Sequence, residues 1–229
     1  MDPIAIYYHP LFIEHETGEH PESKQRLIVA KRVIEQSGLG LEWITPEPAP
    51  VPAIARVHEQ AYIDSIRELA YGDGGWLDWD TAVSPKSYDA AVHAAGAGLL
   101  AVDRALSTGQ KAFMLVRPPG HHACRARGMG FCLFDNIAIA AAHALQELGL
   151  KRVLIVDWDV HHGNGTQAAF YDDPRVIYLS THLAGHFPGT GMVREVGTGD
   201  GEGFTVNVPL QAGAGDGAVR LVFETLLGP

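Results

Sequence analysis

The feature that most constrains the fold is the rhythm in which short apolar runs alternate with amphipathic stretches. Lys111–Val116, Arg152–Val156, Arg175–Leu179 and Phe204–Val208 are each five or six residues of mainly apolar character. Between and around them lie segments of helical period: Ser87–Leu106 before Gly109, Asp135–Leu148 before Gly149, Gly165–Tyr171, and Ala214–Leu227. Upstream, Ser23 can cap a helix in which Leu27, Ala30, Val33 and Ile34 recur at helical spacing before Gly38, and Glu59–Tyr71 reads as another. Strands this short and this apolar need cover on both faces, and helices inserted between parallel strands supply it. The expected class is α/β, a parallel β-sheet with helices on both faces. No internal repeat, low-complexity tract or long linker divides residues 1–229, and the Pro-rich Thr45–Pro52 stretch is short, so a single domain is expected.

Charge and composition remove several functions. The chain has 17 Lys+Arg against 27 Asp+Glu, a formal net charge of −10, which argues against gripping nucleic acid by bulk electrostatics. No apolar run approaches the roughly 18 residues of a membrane span, and Met1-Asp2-Pro3 lacks the basic start of a signal peptide, so a cytoplasmic address is expected. Cys124 and Cys132 form no C-x-x-C pair and are expected as reduced thiols. Histidine is the abundant reactive residue, with 12 copies, four of them in the tandem pairs His121-His122 and His161-His162.

The first three expected strands are each followed by a polar cluster: Arg117-Pro-Pro-Gly-His-His, Asp157-Trp-Asp-Val-His-His and Ser180-Thr-His. Open α/β sheets bind ligands at the carboxyl ends of their strands, so three clusters at that edge mark an active site. Asp157, Asp159 and His161 alternate, and a chain extended past the strand would turn all three to one side. A carboxylate oxygen with an imidazole nitrogen makes half of a tetrahedral zinc site; the bland alternative is loop capping by the aspartates and a satisfied histidine. The Pro118-Pro119-Gly120 approach suits holding His121 and His122 at a fixed place, where one ring can take a proton while the other stabilises charge; two surface histidines are the alternative. The run Gly197-Thr-Gly-Asp-Gly-Glu-Gly203 precedes a strand and opens no helix, so it reads as a turn and not a phosphate loop.

Three stretches, RPPGHHACRARGMGFCLFDN (117–136), VDWDVHHGNGTQ (156–167) and STHLAGHFPGTG (180–191), resemble the zinc-dependent histone deacetylase superfamily, with its acetylpolyamine amidohydrolases and acetoin-utilisation proteins. The resemblance covers nearly the whole chain and implies an arginase/deacetylase-like fold. It also implies hydrolysis of an acyl amide such as acetyl-lysine or an acetylpolyamine. By that match, Asp159 and His161 bind Zn²⁺, His122 is the general base with His121 as its electrostatic partner, and Asp157 and Asn164 hold His121 and His122. Asn164 matches a position that is Asp in other subfamilies, which implies a His122 that is largely neutral near pH 7. Gly130, Phe131 and Phe187 match a narrow substrate tunnel. Asp157, Asp159, His161 and Ser180 match a monovalent cation site, with K⁺ the expected ion.

The Gly-Phe-Asp and Gly-Gly-Tyr loops that supply the family's third zinc ligand and its catalytic tyrosine are not found before Pro229. The domain is therefore expected to be incomplete at its C-terminal side, weak or inactive alone, with apolar surface favouring self-association. Two rivals follow. An arginase-like dimanganese hydrolase is disfavoured because His162-Gly163 follows Val160-His161 where further bridging carboxylates belong. A non-catalytic module that binds an acyl-amine or a protein partner is the other.

Overall fold

The computed structural model describes residues 3–228, which group into two compact units, one reaching Leu150 and one starting at Lys151. In the first, the strand β1 (Ile4–Tyr7) runs parallel between β2 (Leu41–Ile44) and, on its other side, a short strand at Ala112–Met114. Successive side chains of β1 point to opposite faces. Ile6 joins a core with Phe12, Leu27, Ala90, Ala94 and Leu115, while Ala5 and Tyr7 pack with Ala97 and Ala101. The helices that supply these residues are α1 (Lys24–Glu35) and a long one at Ser87–Thr108. Between them come α2 (Val51–Ile54), α3 (Gln60–Tyr71) and an antiparallel pair, β3 (Gly75–Trp76) with β4 (Ala82–Val83). The long helix is α4; it ends at Gly109 in the left-handed region, φ 73°, where glycine has no Cβ to clash. The short strand after it is β5, followed by α5 (Asn136–Gln146), capped by Asp135, whose carboxylate accepts from Ala138 N–H at 3.0 Å.

The second unit holds β6 (Val153–Asp157), α6 (Asn164–Ala169), β7 (Val176–Leu183), β8 (Thr205–Leu210) and α7 (Asp216–Leu226), with the three strands parallel in the order β6-β7-β8. Parallel sheets flanked by helices are what the alternating rhythm predicts. Three local expectations are corrected. The strand expected at Lys111–Val116 covers only Ala112–Met114, the three residues that pair with β1, and Phe113 is about half exposed. Ser180-Thr-His lies inside β7, not beyond it, since that strand runs on to Leu183 against β8. Ser23 stands at the cap position of α1 but makes no side-chain capping bond. β1, β2 and the β3–β4 pair are additional to the strands read from the sequence. Among the described residues no helix is long and apolar enough to cross a membrane.

Candidate functional site

In the first unit, the tandem imidazoles sit just beyond β5. Gly120 is required there: a Cβ would lie 2.6 Å from Asn136 N and 2.8 Å from Phe134 O, so the backbone approach that precedes His121 admits no side chain. Asn136 Nδ2 donates to Pro118 O at 3.1 Å and ties the approach to the start of α5. The Arg117 guanidinium, buried, donates to Glu22 Oε1 at 2.6 Å and to the carbonyls of Phe12 and His15. The rings of His121 and His122 lie 4.0 Å apart, centre to centre, and His122 is buried while His121 is half-buried. Adjacent imidazoles of unequal exposure are equipped for unequal tasks, one shielded from bulk water and one open to it.

Further along the same segment, Gly130 and Phe131 both adopt positive φ, 56° and 72°. For phenylalanine that region is sparsely populated and persists only when its surroundings hold it. Thr81 Oγ1 accepts from Phe131 N–H at 3.1 Å, and the His20 ring meets the Phe131 ring edge-on at 4.6 Å. Neither partner carries a local signature in the sequence, since 50 and 111 residues separate them from Phe131.

The second unit carries the aspartate–histidine cluster. The assumption of an extended chain past β6 is corrected: residues 159–161 bend, because Asp157 Oδ1 accepts from Asp159 N–H (3.1 Å) and Asp159 Oδ1 from His161 N–H (2.7 Å). This loop capping, with the Asp159 carboxylate also within hydrogen-bond distance of the His161 ring, is the bland alternative of the sequence reading. Asp159 Oδ1 and His161 Nδ1 stand 3.1 Å apart. Two donors on one zinc at about 2.0–2.1 Å and tetrahedral angles are separated by about 3.3 Å. Donor types and spacing therefore fit two ligands of a single ion, although among the described residues no three His, Cys, Asp or Glu side chains gather at such a spacing. Asp157 Oδ2 accepts from the Tyr178 hydroxyl at 3.0 Å, and the β6–β7 register sets Asp157 beside Ser180. Asn164 opens α6. Phe187 meets the His161 ring edge-on at 5.9 Å.

Below this cluster runs a buried polar chain. Ser180 Oγ lies 2.9 Å from His182 Nδ1, and His182 Nε2 lies 2.8 Å from the Gly191 carbonyl, so Nε2 carries the proton and Nδ1 accepts. His162 bonds Thr190 and Gln167, and Gln167 reaches Glu195. Burial holds the His162 imidazole down to about 4, helped by the neighbouring His182, and depresses His182 as well. Burial alone would raise the Glu195 carboxyl, but bonds from Met192 N–H, Gln167 and Gly191 N–H hold it below its ordinary range.

Residues 20–229 match the family model described as "Histone deacetylase domain". An uncharacterised protein of Synechocystis sp. is 46% identical over 228 residues, covering 96% of this chain and 74% of that one. Histone deacetylase 14, chloroplastic, of Arabidopsis thaliana is 39% identical, covering all of this chain and 59% of that one. The crystal structure of the HDA15 HD domain superposes with a TM-score of 0.94 at 34% identity, over 99% of this chain and 68% of the other. The chain thus spans about three-fifths to three-quarters of the length of these proteins. With a family model matching nine-tenths of its residues and the same fold at that identity, the chain belongs to the histone deacetylase domain family.

Proposed function

We propose that this chain carries the site of a zinc-dependent acyl-amide hydrolase whose substrate is an acylated amine, acetyl-lysine or an acetylpolyamine. The observation that carries the reading is the 3.1 Å convergence of Asp159 Oδ1 and His161 Nδ1 in a member of this family. Asp159 and His161 are the residues that would hold Zn²⁺. When bound, the ion lowers the pKa of its water and polarises the amide carbonyl. His122 accepts the proton of the attacking water on its imidazole and returns it to the departing amine nitrogen, while His121 stabilises the charge that His122 acquires. Gly130 and Phe131 of the first unit, and Phe187 of the second, are the residues that would meet an apolar stem bearing the amide at its tip. Asp157, Asp159, His161 and Ser180 are the residues that would hold a monovalent cation, K⁺, a role supported by the register that sets Asp157 beside Ser180. Cys124 and Cys132 form no C-x-x-C pair, and a reducing compartment such as the cytoplasm is the address proposed with this reading.

The test is turnover of a fluorogenic acetyl-lysine peptide and of an acetylated polyamine by the zinc-supplemented chain beside His122→Ala. A general base typically contributes about 10²–10⁴-fold, so the variant should lose at least about a hundredfold in kcat. Measurable turnover that is equal in both proteins would refute the reading and leave the binding module. Metal analysis separates the other rival, one zinc per chain against two manganese ions.

A further inference from the structure

The segment from His121 to Asp135 carries both the acid–base pair and the Gly130-Phe131 wall, yet it contains no helix and only the isolated bridges Cys124–Arg127 and Met129–Cys132. Besides those bridges and the Thr81 and His20 contacts to Phe131, a few residues at the start of α3 tie it down at several points. His58 Nδ1 lies 2.9 Å from Cys124 O, and Asp135 N–H donates to His58 Nε2 at 2.9 Å. Glu59 N–H donates to Arg125 O at 2.8 Å, and the Tyr62 hydroxyl to Leu133 O at 2.7 Å. Because the Asp135 amide can only donate, Nε2 must present its lone pair; the proton then sits on Nδ1, where Cys124 O needs a donor. His58 is 1% exposed and packs against the rings of Tyr62 and Phe134 at 5.6 and 5.5 Å, which also meet each other edge-on. Both nitrogens are committed, one to each end of the segment, and the ring has no room to turn.

We propose that His58 is the positioning residue of this site, a neutral imidazole clamp that fixes the backbone two residues past His122 to the cap of α5 and so sets the acid–base pair against the Phe131 wall. The inference rests on the acyl-amide reading above. His58 touches no reacting group; it acts through the 121–135 segment. Its effect is on the geometry of turnover, where a displacement of about 1 Å can cost about a hundredfold.

Two substitutions separate the ends of the clamp. In His58→Gln the amide reaches the place of Nε2, keeping an acceptor for Asp135 N–H and losing the donor to Cys124 O. In His58→Asn the amide occupies the place of Nδ1, keeping the donor and losing the acceptor. Steady-state kinetics of the full chain with zinc and the acetyl-lysine peptide should show kcat of H58Q falling about tenfold to a hundredfold with KM within about twofold. H58N should recover most of that kcat. Hydrogen exchange should quicken over 121–127 in H58Q and near 135–138 in H58N. Unchanged kcat and exchange in H58Q would overturn the clamp, as would equal kcat loss in both variants tracking their melting temperatures. Turnover equal in wild type and His122→Ala sinks the acyl-amide reading instead; without turnover, exchange decides the clamp, quickening confined to 121–127 in H58Q supporting it and wild-type protection there overturning it.

Discussion

Gly191 shows how narrowly single positions are defined in the second unit. Its φ is +83°, and a Cβ would lie 2.5 Å from His182 Nε2 and 2.6 Å from His162 Cγ, two buried rings already committed to hydrogen bonds. Gly189 has nearly the same φ, +86°, with nothing within 4 Å of its would-be Cβ. The pair separates backbone strain from overpacking. Gly189→Ala should cost about 1–2 kcal/mol, the left-handed penalty alone. Gly191→Ala should cost about 1–3 kcal/mol more, as rings and backbone shift to make room. Urea denaturation checks both, and equal midpoints for the two variants would contradict the account. At this scale the sequence was informative wherever chemistry is local: the tandem histidines, the Asp-x-His pair and the Pro-Pro-Gly approach are all readable as residue types at fixed spacing. It was silent on His58, Thr81 and His20, whose partners lie dozens of residues away and which no periodicity marks.

Among the elements, α5 is the one whose beginning matters most, because its cap is also one end of the His58 clamp. Asp135 uses its carboxylate for Ala138 N–H and its own amide for His58 Nε2. Asp135→Ala removes the first bond and leaves the second, and should lower stability by about 1 kcal/mol, whereas Asp135→Asn, also a good cap, should stay within a few tenths. Thermal melting distinguishes them; an alanine variant as stable as wild type would show that the carboxylate contributes nothing to the helix. Helices were the legible elements. α1, α4 and α5 begin and end within a few residues of where capping residues and glycines place them, and α3 matches the stretch read as helical at Glu59–Tyr71. Strands were less so: β1 and β2 are four residues each, too short to display a period, and the length of β5 and β7 depends on which neighbours pair with them.

For the molecule as a whole, the buried histidines couple stability to pH. Burial, with the Arg117 and His20 charges adding to it, lowers the His15 imidazole to about 3; burial lowers His58 to about 4, against the opposing bonds to backbone carbonyls. Above about pH 6.5 these rings are neutral both folded and unfolded and contribute no slope. As pH falls below that value the unfolded chain takes up protons that the folded chain refuses, so stability falls, and each histidine contributes about 1.4 kcal/mol per pH unit down to its folded value. His162, also held at about 4, acts in the same direction. Urea midpoints should therefore drop between pH 6.5 and 5, before most carboxylates titrate, and His58→Gln should flatten the dependence by one proton. A midpoint constant over that window would contradict it.

What the sequence by itself determined was the set of chemical groups and the local grammar that presents them: helices with their stops, parallel strands between them, and reactive side chains at strand ends. Those depend on interactions within a few residues, which spacing encodes directly. What only the tertiary structure decided was where loops bend and what holds them. The turn that brings Asp159 to His161, the left-handed backbone of Phe131, and the single tautomer of His58 are set by hydrogen bonds and burial, several of them between residues far apart in the chain, and a buried polar group accepts only the partners that packing leaves within its reach.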